Sequence, residues 1–324
     1  MNKKRFFGVL FATILIGPFQ TLSAQTAQYP SKPIRLVVPF PAGGPADILG
    51  RLIAQNLSES LGQPVIVDNK GGANTVIGAD LVAKAPADGY TLLLAIDSTL
   101  AMNPSLYSKL PYDPVKDFSP ISLVAEVPCI IAVNPSFPAA NLKQLLDIAR
   151  RKPGEINFAQ GTITMHAGGE LLNQMAGVKM IPVAYKGGGT SIIAVMGGEV
   201  PVTMEAAATV LPNMRAGKVR ALAVMGNRRL RAAPEIPTVS EAGVPGYNVA
   251  VWQSMVAPAG TPRVVIDRLN TELKKIMEQP AVRERLEKVG LEPLTSSPEE
   301  LGKFIQAETV KWSKVIKDIG LKID

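Results

Sequence analysis

The side chains that most often carry catalysis are scarce in this 324-residue chain: one histidine, His166, and one cysteine, Cys129. His166 precedes Glu170 by four residues, which puts both on one helix face, but a zinc site needs further ligands that this spacing does not supply. A Ser-His-acid triad would have to use His166 as its base, and no G-x-S-x-G turn is present to offer the serine. Cys129 sits in the apolar run from Val127 to Val133, where a thiol is buried and inert. The glycine-rich stretches fail both nucleotide patterns. Lys186-Gly187-Gly188-Gly189-Thr190 lacks P-loop order, and Pro41-Ala42-Gly43-Gly44-Pro45-Ala46-Asp47 is not G-x-G-x-x-G. What is left is a set of loops with donors but no reactive groups: 40–47, 98–99, 161–164 and 186–190. Such groups hold a small anion, a carboxylate above all, and do not transform it.

These loops must be positioned by strands and helices. Ile34 to Val38 is a β-branched and aliphatic run that reads as a buried strand. After Pro39, Pro41 and the Gly43–Gly44 pair, a helical stripe begins at Pro45 and continues through Ile48, Leu49, Leu52, Ile53 and Leu57. A helix start behind a glycine turn is a natural anion site, although an ordinary strand-to-helix connection has the same look. Thr91 to Ile96, apolar throughout, reads as a central strand that stops at Asp97-Ser98-Thr99. Ile156 to Ala159 is a strand leading through Gly161-Thr162-Ile163-Thr164 into a helix, so the opening arrangement is repeated. Ile181 to Tyr185 precedes the Lys186 loop, and Pro201 to Glu205 is a strand ending on a carboxylate. Asn141, Asn74 or Thr75, Thr261 and Ser297 stand where helix caps are expected. Strands alternating with helices imply an α/β protein with largely parallel sheets. The chain is expected to cross between domains near Glu126–Pro128 and to return through a Pro- and Gly-rich linker at 234–246.

Bulk properties narrow the function further. At roughly 100–200 residues per domain, two domains are expected. Lys3, Lys4 and Arg5 precede an apolar run from Phe6 to Phe19 and then small, polar residues, the order of a secretory signal peptide with cleavage after Ala24 or Ala27. Removing residues 1–24 takes away those three basic groups and no acid, so the net charge of +7 becomes +4. The densest basic cluster, Arg215 to Arg231, has almost no aromatic interleaving, which argues against nucleic-acid binding. No metal site and no cofactor is expected.

Several segments together resemble the solute-receptor family of tripartite tricarboxylate transporters, also called the Bug receptors. They are Pro33-Ile34-Arg35-Leu36-Val37-Val38-Pro39-Phe40 followed by Pro41-Ala42-Gly43-Gly44 and Asp47, then Ala85-Pro86-Ala87-Asp88-Gly89-Tyr90. Further along come Gly217-Lys218-Val219-Arg220-Ala221-Leu222, Ile236-Pro237-Thr238-Val239-Ser240-Glu241-Ala242-Gly243 and Ala257-Pro258-Ala259-Gly260-Thr261-Pro262. The resemblance implies a two-lobed, type II-like periplasmic binding protein, each lobe a mostly parallel sheet flanked by helices, with the ligand cleft between lobes. Residues 25–126 plus 251–324 would form lobe 1 and residues 127–250 lobe 2. It also implies a ligand gripped by Phe40, Ala42, Gly43, Gly44 and Asp47 on one side and by Gly161, Thr162 and Thr164 on the other. Ser98, Thr99 and Glu205 would shape the remainder, with His166 and Lys186 as outer candidates. The cargo would be a di- or tricarboxylate, an amino acid or an aromatic acid, passed to a membrane permease of one large and one small subunit by a monomeric, non-enzymatic receptor. Two departures from the family pattern stand out: Phe158-Ala159-Gln160-Gly161 with His166-Ala167 around the second loop, and Met204-Glu205-Ala206 at the strand end. A receptor that feeds a sensor kinase, or a periplasmic enzyme using His166, remain the competing readings.

Overall fold

The computed structural model describes residues 29–323, so the signal-peptide segment and the first residues of the expected lobe 1 lie outside the described residues. The first part of the chain runs β1 (Ile34–Val38), α1 (Pro45–Leu61), β2 (Val65–Asn69), α2 (Val76–Ala83), β3 (Thr91–Ile96), a π-helical turn (Ser98–Met102), α3 (Asn103–Leu106) and β4 (Phe118–Val127). It continues with β5 (Cys129–Val133), α4 (Leu142–Arg151), β6 (Ile156–Gln160), α5 (Ile163–Ala176), β7 (Met180–Ala184), α6 (Gly188–Met196), β8 (Val202–Ala206), α7 (Ala207–Arg215) and β9 (Arg220–Val224). It ends with β10 (Val251–Pro258), α8 (Arg263–Glu278), α9 (Pro280–Lys288), β11 (Glu292–Pro293) and α10 (Pro298–Ile319).

Two sheets result. The first has six strands in the order β11-β4-β10-β3-β1-β2, and the second five in the order β7-β6-β8-β5-β9. They are mixed, not largely parallel. β1 is parallel to β2 and β3, and β6 to β7 and β8, because helices cross over between these strands. β4 and β10 run antiparallel to each other, and β5 antiparallel to β8 and β9. The reason is connectivity. β4 passes through Pro128 directly into β5, carrying the chain out of the first sheet, while β10 brings it back in the opposite sense.

The hydrophobic pattern explains the packing. Alternate residues of β1 bury opposite ways: Ile34, Leu36 and Val38 pack with Leu49, Ile53 and Leu57 of α1, while Val37 joins another cluster. That other cluster spans both sheets, combining Leu93 and Ala95 with Ile131, Phe158 and Met204, and it takes in Leu301, Ile305 and Trp312 from α10. A third cluster puts Ile192, Val195 and Val210 of α6 and α7 against Ile130 and Ala132.

Caps follow local chemistry in part. The Asn141 side chain accepts from the Gln144 N–H, and Ser297 forms a reciprocal capping box with Glu300. Thr261 does not cap α8; its hydroxyl donates to the Pro258 carbonyl, and Pro262 holds the cap position. Thr75 holds the cap position of α2, but its side chain is engaged elsewhere. The expected linker at 234–246 is a packed cover instead. Ile236, Val239 and Val244 are buried, and Thr238 bridges to Val224 at the edge of β9.

Candidate ligand-binding site

The 40–47 loop is built around Asp47, which is buried. The Gly43 N–H and Arg51 Nε each donate to Asp47 Oδ2 at 2.9 Å, and Asn69 Nδ2 donates to Oδ1 at 3.0 Å. The same Asn69 amide donates to the Phe40 carbonyl at 3.0 Å. Arg51 first, then the Gly43 N–H and Asn69, holds the Asp47 carboxyl below the usual carboxylate range. Its oxygens are therefore occupied by donors of the loop, α1 and β2, so Asp47 shapes the site without offering a free acceptor. Gly43 has φ +88°, a conformation that needs glycine, whereas Gly44 has φ −83° and room for a Cβ, whose nearest neighbour would be the Pro41 carbonyl oxygen at 4.0 Å. Pro45 begins α1 without an N–H, and the first helical bond runs from the Ile48 N–H to the Gly44 carbonyl. The Ala46 and Asp47 N–H groups are left outside the ladder at the positive end of the helix dipole.

The second loop is set by Gly161. A Cβ there would stand 2.4 Å from Gly187 C, 2.5 Å from Gly188 N and 2.8 Å from Glu205 Oε1. The close approach of the two glycine loops is thus what demands glycine at this position. Thr162 caps α5, its hydroxyl accepting from the Met165 N–H at 3.4 Å. Gly187, with φ +94°, caps α6. Glu205 lies beneath both helix starts, only 3% exposed, and burial pushes its carboxyl up to about 7 against the pull of Ser191 and nearby N–H groups.

Ser98 and Thr99 are fully buried. The Thr99 hydroxyl donates to Thr75 Oγ1 at 2.8 Å, and the Thr99 carbonyl accepts from Tyr112. Thr164 turns its hydroxyl onto Asp97 Oδ2 at 2.8 Å. His166 is half-buried, and burial holds its imidazole below the usual value with Glu170 opposing. Lys186 is exposed beside the Gly187–Gly189 turn. No group of three or more metal-ligating side chains occurs among the described residues. No hydrogen bond among the described residues joins the 40–47 loop to the 161–164 loop.

Sequence reasoning missed the 69–75 segment. Ala73, Asn74 and Thr75 all have positive φ (45°, 47° and 75°), held by hydrogen bonds in which Asn74 Nδ2 donates to Asn103 Oδ1 and the Thr99 hydroxyl donates to Thr75 Oγ1. Gly71 packs on Pro41, so this segment supports the first loop. The Gly71-Gly72 pair beside Asn74 was the available signal.

The model of the tripartite tricarboxylate transporter family receptor matches residues 49–321. The chain belongs to that family. Among similar proteins of this receptor family is BugT of Bordetella pertussis, 36% identical over 333 residues and covering 100% of both chains. An R. palustris protein, Rpa4515, solved with adipate, shares 36% identity and a TM-score of 0.83, covering 91% of this chain and 100% of its own. The periplasmic binding protein BugD shares 34% identity and a TM-score of 0.78, over 91% of this chain and 100% of that one. The fold is therefore that of the receptor family's periplasmic binding proteins.

Proposed function

We propose that this protein is a periplasmic receptor that captures a small carboxylate by hinge closure and delivers it to a permease of one large and one small membrane subunit. It acts as a monomer and catalyses nothing. Lobe 1 comprises 25–126 with 251–324, and lobe 2 comprises 127–250, the hinge lying at the crossings near 126–128 and 246–251. One ligand carboxylate sits on the Gly43–Gly44 start of α1 and meets the Gly161–Thr164 start of α5 as the lobes close. The observation that carries this reading is the first loop itself. The Asp47 carboxylate is engaged by the Gly43 N–H, Arg51 and Asn69, so it leaves the free N–H groups at the start of α1, beside the uncrowded Gly44, for a ligand anion. The adipate held by the R. palustris relative supports a dicarboxylate as the cargo class.

The test is native mass spectrometry of the purified mature protein followed by a thermal-shift screen of small carboxylates, since any ligand of the folded state alone raises Tm. A stabilising acid whose effect disappears in Gly44→Trp, with the fold intact, supports the placement. A Gly44→Trp variant that binds as tightly as the wild type overturns it, and silence across the panel overturns the carboxylate class.

A further inference from the structure

Asp97 and Thr164 belong to different sheets. Asp97 directly follows β3 of the first, and Thr164 lies in the first turn of the 14-residue helix α5, which follows β6 of the second. The Thr164 hydroxyl donates to Asp97 Oδ2 at 2.8 Å, with both residues at most 1% exposed. Around this tie the polar bookkeeping is incomplete. Asp97 Oδ1, the neighbouring Ser98 Oγ and Gln253 Oε1 are buried without a hydrogen-bond partner among the described residues. Gln253 stands opposite Ile96 in the β10–β3 register, and Ile96 is the residue before Asp97 in the chain. Buried polar atoms are nearly always paired, and a group left bare by one arrangement is relieved by another that admits a partner. The Ser98 N–H also acts on the Asp97 carboxyl, Glu308 and Lys311 of α10 oppose each other, and among the described residues no ion pair holds the carboxyl in place.

We infer that Asp97 is a positioning residue for the ligand loop: through Thr164 it fixes the start of α5 relative to the first sheet, holding the two sheets in the ligand-ready arrangement. The inference takes its ligand from the receptor reading but stands on its own geometry. The bare oxygens favour separation of the sheets, and the Thr164–Asp97 bond opposes it. Breaking the bond lets the second lobe swing away and carries Gly161–Thr164 out of reach of the α1 start.

Three variants test this: Thr164→Val, which keeps size and removes the donor, Thr164→Ser, which keeps the donor, and Asp97→Asn, which keeps an acceptor oxygen. Each is examined without ligand by small-angle X-ray scattering, and by calorimetry with succinate, glutarate, adipate and pimelate. Thr164→Val should raise the ligand-free radius of gyration and weaken dicarboxylate binding roughly tenfold, the scale of one hydrogen bond to a charged group. Thr164→Ser should restore both, and Asp97→Asn should fall between. A Thr164→Val protein with the wild-type radius overturns the inference whatever its affinity, because losing a direct ligand contact would weaken binding and leave the ligand-free radius unchanged. So does a Thr164→Ser protein as impaired as Thr164→Val, because packing alone would then explain the loss. If the wild type binds none of the four acids, the receptor reading fails, and the scattering comparison still decides the role of Asp97.

Discussion

Glu205 Oε1 stands 2.8 Å from where a Cβ on Gly161 would be, so the acid at the end of β8 and the glycine of the second loop define each other's space. Gly161→Ala should push the loop off Glu205 and off the Gly187–Gly188 backbone, costing about 1–3 kcal/mol, the usual range for overpacking. Gly44→Ala, at an open position with an ordinary backbone, should unfold within about 0.5 kcal/mol of wild type. Urea unfolding of both proteins checks the contrast, and equal stabilities would contradict the geometry.

Asp47 organises the first loop through three donors. Asp47→Ala should lower the unfolding free energy by about 2 kcal/mol, since it strips a buried charged acceptor from its partners. Ligand affinity should fall with it, because the Gly43 turn loses its internal anchor. The pH sign is fixed by the lowered Asp47 pKa: its stabilisation is present above the unfolded value of 3.8 and is lost as pH falls through the lower folded value. Acid unfolding monitored by circular dichroism should therefore begin at a higher pH in Asp47→Ala.

Asp97 and Glu205 titrate in the opposite sense. Burial raises both carboxyls to about 7 from 3.8 and 4.5. A raised folded pKa gives stability that is complete below the unfolded value and disappears as pH climbs through the folded one. Each group should thus lower Tm between about pH 4 and pH 7. The Asp97→Asn, Glu205→Gln double variant should show a flatter profile in that window, and a slope equal to the wild type's would remove the effect.

Cys129 is 2% exposed in β5, and burial pushes its thiol well above its usual value. An aromatic disulfide reagent should label it only when the native structure opens, at a rate that rises with denaturant in parallel with unfolding. Rapid labelling of the native protein would show that the β5 crossing is more open than this packing allows.

Local patterns carried much of this protein's reading. The β-branched run of β1, the stripe of α1 and the Asn141 and Ser297 caps all depend on near neighbours in the chain, and all stand as the residues imply. The family was legible as well, because its motifs recur in order along the chain. Sheet sense was not. A strand's own residues do not record which way its partner runs, and the antiparallel pairs arise from β4 and β10 crossing between sheets.

The sequence by itself determined the α/β class, the loops rich in donors, the poverty of catalytic groups and the family. Only the tertiary structure decided what each donor faces. Thr99 meets Thr75, Thr164 meets Asp97, Asp47 meets Asn69, and Gly161 meets Glu205. These pairs join residues 22 to 67 positions apart, and no local periodicity encodes a contact that exists only after two sheets have packed around a shared core.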